Sequence, residues 1–289
     1  MNDFLLSILL GIVEGLTEFL PVSSTGHLRI VEALCHLNLH DSFWKMYTIV
    51  IQLGAILAVP VYFWNRILKF LSTFPRGERG DRNFLTHPLS LTIIAFVVTA
   101  VPSWALTKVI GKNLESLWVI TLALLIGGIV MWIVDLAFTR PRVRHMEEMS
   151  LPQAIWIGAC QILSAVFPGT SRSMSTIAAG QIGGLSRPAA LEFSFFLSMP
   201  TMAVATLYDL YKTLKPSHNA AAEGNLAPLS VDSHGWIVLA IGFVVSFIVA
   251  LAVVAWFMNW VRSRGFAPFA IYRIALAIVL IVLLMRGSI

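Results

Sequence analysis

Six apolar runs, residues 43–64, 87–109, 114–139, 190–211, 234–256 and 261–286, constrain this chain more than any other feature. Each is long enough to supply the roughly 20 largely apolar residues that a helix needs to cross the hydrocarbon core of a bilayer. Charged residues make up 12% of the chain, against ~25% in a soluble domain. With mean hydropathy at +0.81, the expectation is an all-α polytopic membrane protein, a single integral membrane domain over 1–289. The net charge of +5 suits loops lying beside anionic membrane lipids, and no basic-aromatic pattern points to nucleic acid. Cys35 and Cys160 lack CxxC spacing and read as buried free thiols. The start, Met1-Asn2-Asp3, has no basic region and Glu14 interrupts the apolar stretch, so no cleavable signal is expected.

Two shorter helices are expected at 4–20 and 23–38, neither of them a full span. They carry the most unusual stretch of the chain, residues 11–27, where Glu14 and Glu18 lie in an apolar run that Pro21 stops. Four residues apart, the two carboxylates stand about 40° apart on one helical face. Gly11 and Gly15 beside them would let another element approach closely. Ionisable groups at membrane depth are costly and default to function; the plainer alternative is a shallow helix with both groups at the interface. A carboxylate pair of this kind suits a divalent cation, because Mg²⁺ usually takes one or two carboxylates plus substrate phosphates.

The punctuation repeats. A shift of 147 residues carries Gly11 onto Gly158, Glu14 onto Gln161, Pro21 onto Pro168 and Ser24 onto Ser171. The same shift carries the first three long runs onto the last three. The chain therefore reads as two homologous halves, about 1–142 and 148–289. If 4–38 and 151–184 are re-entrant hairpins, each half has three crossings. Three is odd, so the second repeat is inverted relative to the first, an architecture that places polar sites at the midplane. If each hairpin crosses, the repeats are parallel. The excess of Lys and Arg on cytoplasmic loops does not separate the two, at ten against seven or eleven against six. The re-entrant form is preferred, because irregular backbone at Pro21 and Pro168 is tolerable only around a buried cavity.

Pro21-Val22-Ser23-Ser24-Thr25-Gly26-His27 reads as a helix start, with Ser23 or Ser24 as cap and free N–H groups that attract phosphate. Ser24 and His27 are three apart, a spacing that suits a hydroxyl nucleophile and a base; alone, the pair would be an ordinary cap and a packed histidine. The counterpart Pro168-Gly169-Thr170-Ser171-Arg172-Ser173 adds a guanidinium, which matches phosphate in a bidentate fork unless it snorkels to the interface. Two such starts facing each other would bracket a phosphate. Asp135 and Asp209 are expected at the interface, Glu192 paired with Arg187, and Gln52 and Gln181 beside a cavity. Arg273 either snorkels or supports the site.

On these residues the chain resembles the undecaprenyl-pyrophosphate phosphatase family of bacterial membranes, linked to bacitracin resistance. The likeness spans essentially the whole length and rests on EGLTEFLPVSSTGH at 14–27, PGTSRS at 168–173 and EFSFFLSMP at 192–200. Met174 stands where the family commonly has Gly, and the loop Lys212–Ser233 is long. The resemblance implies hydrolysis of undecaprenyl diphosphate to the monophosphate and inorganic phosphate, recycling the lipid carrier of cell-wall (peptidoglycan) synthesis. It also implies a divalent metal, Mg²⁺ or Ca²⁺, on Glu14 and Glu18, and a bacterial inner membrane location with the site facing the periplasmic or outer side; a homodimer is compatible with it. Carried onto this sequence, Ser24 and His27 would make the attack. Glu14 and Glu18 would serve metal or proton transfer. Arg172, with the hydroxyls of Thr170, Ser171, Ser173, Ser23 and Thr25, would hold phosphate. The rival class is an inverted-repeat transporter or flippase of an anionic lipid or solute, which needs no nucleophile and base. A type-2 acid phosphatase is a weaker rival, since its Lys-rich first motif is missing.

Overall fold

The six long runs form helices because lipid offers the backbone no hydrogen-bond partner, and a helix satisfies every interior N–H and C=O within itself. A computed structural model describes residues 2–35, 37, 42–107, 110, 116–214 and 231–286. Among them are eleven helices. The first six are α1 Asp3–Thr17, α2 Ser24–Leu34, α3 Ser42–Tyr62, α4 Trp64–Thr73, α5 Pro88–Ala105 and α6 Leu117–Ala137. The other five are α7 Leu151–Val166, α8 Arg172–Ile182, α9 Arg187–Leu214, α10 Ser233–Ser263 and α11 Ala267–Met285. Six of these, α3, α5, α6, α9, α10 and α11, are long and apolar enough to cross a membrane. They fall on the six runs of the sequence. The turn at Gly111-Lys112-Asn113 and residues 215–230 of the long loop lie outside the described residues.

α1 and α2 have 15 and 11 residues, so at 1.5 Å per residue they reach about 23 and 17 Å, short of the ~30 Å core. The corresponding pair in the second half is α7 and α8. The two ends of that pair meet: the N–H groups of Arg142 and Val143 donate to Gly184 O at 2.8 and 3.0 Å, and Ser186 N–H donates to Val143 O at 2.8 Å.

Small residues govern how the helices approach, since packing rather than hydrophobic burial joins helices in lipid. α1 packs on α10, and α7 packs on α5. A side chain at Gly11 would meet Gly242 O of α10, and one at Gly158 would meet the backbone of Ala95 on α5. Gly11 to Gly158 and Ala95 to Gly242 are both steps of 147, so the register read along the sequence recurs as a reciprocal pair of contacts between the halves. Hydroxyls tie these seams and the one between α10 and α3. Ser7 donates to Val238 O, Ser246 to Ile51 O and Thr99 to Gly158 O, each at 2.7 Å.

Several local expectations change. The basic loop after the first span begins as a helix, α4, with Arg66 and Lys69 on it. Trp64, Leu68 and Leu71 are exposed along one stripe and Phe70 is buried; the cations hid this 3.6-residue periodicity. The last two spans divide at Arg264–Phe266 rather than at 256–261, because Gly265 and Pro268 stop one helix and start the next. Asp135, two residues before the end of α6, is buried against protein. Its Oδ1 pairs with Arg187 Nε at 2.6 Å, and its Oδ2 caps α11 by accepting the Phe266 and Ala267 N–H groups at 2.9 and 3.2 Å. Glu192 consequently pairs with Arg66 at 2.9 Å and not with Arg187. Residues five apart on a helix point about 140° apart and do not meet.

Candidate active site

α1 ends one turn beyond Glu14, and the chain turns through Pro21 into α2. Glu14 is buried at 1% exposure and Glu18, just past the helix end, at 8%. Neither Glu14 oxygen has a hydrogen-bond partner, although burial makes such a group costly. The cap of α2 is Ser23, whose hydroxyl accepts the Gly26 N–H at 3.3 Å. The cap of α8 is Ser171, which accepts the Met174 N–H at 3.3 Å. Ser23 and Ser171 have φ of 74° and 70° and are the only non-glycine residues with positive φ among those described. A serine held there is strained, and such strain gathers at functional sites.

These caps revise the internal register. Ser23 corresponds to Ser171, a step of 148, so Ser24 falls opposite Arg172 and not opposite Ser171. The second loop is one residue longer, and Gly169 takes up the extra residue at φ 93°. Ser24 and Arg172 thus occupy the first position of their respective helices.

Glu18 joins the two starts. Ser24 Oγ–H donates to Glu18 Oε2 at 2.5 Å, and Arg172 Nη2–H donates to Glu18 Oε1 at 3.2 Å. Arg172 Nη1–H donates to Ser194 O at 3.3 Å, and the guanidinium lies 5.7 Å from the centre of the Phe19 ring. The Ser173 hydroxyl donates to Leu20 O at 3.0 Å and lies 3.0 Å from the Ser171 hydroxyl, which ties the second start to the first loop. Thr25 is exposed, and Thr170 half-buried, beside these groups.

His27 is on α2 three residues after Ser24, but its ring is committed elsewhere. Nδ1 lies 2.7 Å from Ser23 O and Nε2 2.6 Å from the Tyr272 hydroxyl. A carbonyl only accepts, so Nδ1 carries the proton and Nε2 of the neutral ring accepts from Tyr272. The two rings stack at 5.6 Å. The group that accepts the Ser24 hydroxyl hydrogen bond is Glu18, not His27. Sequence reasoning missed Tyr272, 245 residues from His27, and gave Ser194, inside the quoted stretch 192–200, no role at the helix start 22 residues before it. Gln52 accepts from Thr206 at 3.4 Å, and Gln181 is buried on α8.

Among the described residues no cluster of three or more His, Cys, Asp or Glu side chains stands ready to hold a metal ion. The paired carboxylates with the two unpartnered oxygens of Glu14 still fit an ion that completes its shell with phosphate oxygens and water, as Mg²⁺ does.

Fold and site together define a polytopic helical membrane protein with a buried polar centre where two helix starts converge on a carboxylate, a hydroxyl and a guanidinium. Residues 7–279 match the family described as bacitracin resistance protein BacA. Curated relatives extend along the whole chain. An undecaprenyl-diphosphatase of Koribacter versatilis is 64% identical over 96% of this chain and 97% of its own length. Undecaprenyl-diphosphatase 1 of Frankia alni is 41% identical over 98% and 96%, and undecaprenyl-diphosphatase 2 of Paramagnetospirillum magneticum is 42% identical over 96% and 98%. The chain belongs to the BacA family.

Proposed function

We propose that this protein hydrolyses undecaprenyl diphosphate to undecaprenyl phosphate and inorganic phosphate, recycling the lipid carrier of peptidoglycan synthesis. The observation that carries the chemistry is Glu18 placed between Ser24 and Arg172. Arg172 and the N–H groups at the two helix starts hold the terminal phosphate and spread its charge. Ser24 Oγ attacks the terminal phosphorus as its proton passes to Glu18, and the P–O bond to the lipid monophosphate breaks. Water then cleaves the phosphoserine, and inorganic phosphate leaves. Tyr272 and Ser23 hold the His27 ring by both of its nitrogens, three residues beyond the nucleophile on α2, where it ties the cap of α2 to the last span. Ser23, Thr25, Thr170, Ser171 and Ser173 supply further hydroxyls around the phosphate. Glu14 with Glu18 would hold Mg²⁺ or Ca²⁺, which neutralises phosphate charge when bound.

The membrane arrangement follows the same reading: two repeats of inverted topology in a bacterial inner membrane, with the site open to the outer side. Supporting it, the ends of α3 and α6 meet the starts of α9 and α11 through Arg66, Glu192, Asp135 and Arg187, and the arginine-rich loops lie at that end, which makes it cytoplasmic. The ends of α7–α8 meet there too. The start of α1 meets the start of α10 through Asp3 and His234, at the other end. The test is phosphate release from polyprenyl diphosphate by purified protein, with and without chelator. Ser24→Ala should abolish turnover; near-normal turnover would remove the nucleophile role.

A further inference from the structure

Arg273 is a fully buried guanidinium in the last span, at 0% exposure, and the chemistry above does not use it. Its two Nη groups donate to backbone carbonyls, while Nε is buried without a partner. Nη1–H donates to Pro21 O at 3.1 Å, and Nη2–H donates to Gly169 O at 2.9 Å and Ala123 O at 3.1 Å. Pro21 and Gly169 each lie two residues before a positive-φ serine cap, so one guanidinium grips equivalent carbonyls of both loops. Its planar fork reaches both at once, which the point-like ammonium of a lysine cannot reproduce. α6 makes room for it: a side chain at Gly127 would run into the guanidinium, and one at Gly128 into Arg273 Cβ. The internal shift of 147 places Ile126, an exposed residue, opposite Arg273. The clamp therefore occurs once and serves both loops, and it is not part of the repeated scaffold.

We infer that Arg273 is a positioning residue that holds the two helix-start loops in register, so that Ser24 and Arg172 meet the same phosphate. The inference rests on the hydrolase reading for its effect on turnover, and on geometry alone for its effect on the loops. Misplacing a reacting group by about 1 Å costs on the order of 10²-fold in rate. Arg273→Lys in the full chain should therefore lower kcat about 10²-fold and leave KM within about threefold. In an Arg172→Lys background the same change should add less than about threefold, because residues acting as a unit are not additive. Spin labels at Leu34→Cys on α2 and Phe167→Cys before α8, with Cys35 and Cys160 replaced by Ala, read loop separation independently of activity. Their distance distribution should broaden or shift in Arg273→Lys. Gly127→Ala, which keeps Arg273 but crowds its guanidinium, should do the same to a lesser degree and carries the test if Arg273→Lys does not fold. Unchanged distances, or an equal fall in kcat on both backgrounds, would overturn the inference. A wild-type protein that releases no phosphate would instead sink the hydrolase reading, and the label distances would still decide the role of Arg273.

Discussion

Glu18→Gln separates two jobs that one side chain performs. The amide keeps the shape of the carboxylate but can neither take the Ser24 proton nor balance Arg172. General-base assistance contributes about 10²–10⁴-fold, so kcat should fall within that range. The side chains of Arg172 and Glu18 are 12% and 6% exposed, and removing one partner of a buried pair costs about 3–5 kcal/mol. The lower end, about 3 kcal/mol, applies here, because Nη1 still donates to Ser194 O. The double variant Glu18→Gln with Arg172→Gln removes the orphaned charge, so it should recover most of that stability and remain inactive. Phosphate release at saturating substrate and thermal unfolding in the same detergent read the two effects. A single variant within tenfold of wild-type turnover would refute the role of Glu18 as base. A double variant no more stable than the single would refute the pairing argument.

Tyr272→Phe keeps the ring stacked on His27 but removes the hydrogen bond to Nε2, worth about 1 kcal/mol; steady-state kinetics should show roughly a fivefold fall in kcat, and no change would leave the His27 orientation without consequence. Glu14→Gln removes a buried carboxylate with two unpartnered oxygens, so it should weaken Mg²⁺ binding, read by calorimetry, at least about tenfold while unfolding temperature holds or rises. Lost stability together with intact Mg²⁺ affinity would contradict the cation assignment. Gly15→Val would place its Cβ 2.8 Å from Ser246 O and 3.0 Å from Ala250 N, so it should force α1 off α10 and cost about 1–3 kcal/mol, seen as a lower unfolding temperature; a variant as stable as wild type would show that the seam yields freely.

Much of the fold is legible along the chain because its causes are local. Apolar runs long enough to span declare themselves by length. Pro21 and Pro168 followed by hydroxyls mark helix starts, and Gly11 and Gly158, 147 residues apart, mark two close helix approaches before any contact is known. Boundaries were less legible where a competing local signal was strong. The cations of Arg66 and Lys69 disguised α4, and the single residue added around Gly169 shifted the serine register from 147 to 148. Side-chain partners were the least legible. Glu192 and Arg187, close in sequence, point away from each other on one helix, and Asp135 finds Arg187 and the start of α11 instead.

The sequence by itself determined that the chain lies in lipid, that two short helical stretches are broken near Pro21 and Pro168, and that carboxylates, hydroxyls and an arginine stand at those breaks. Lipid leaves polar groups no solvent, so their presence alone implies partners. Only the tertiary structure decided which ones. It gave the Ser24 hydroxyl to Glu18 and turned His27 to Tyr272. It also set one guanidinium on carbonyls 252 and 104 residues away. Such pairings depend on how closely glycine-lined helices approach and where each side chain points, and neither is encoded within a single segment.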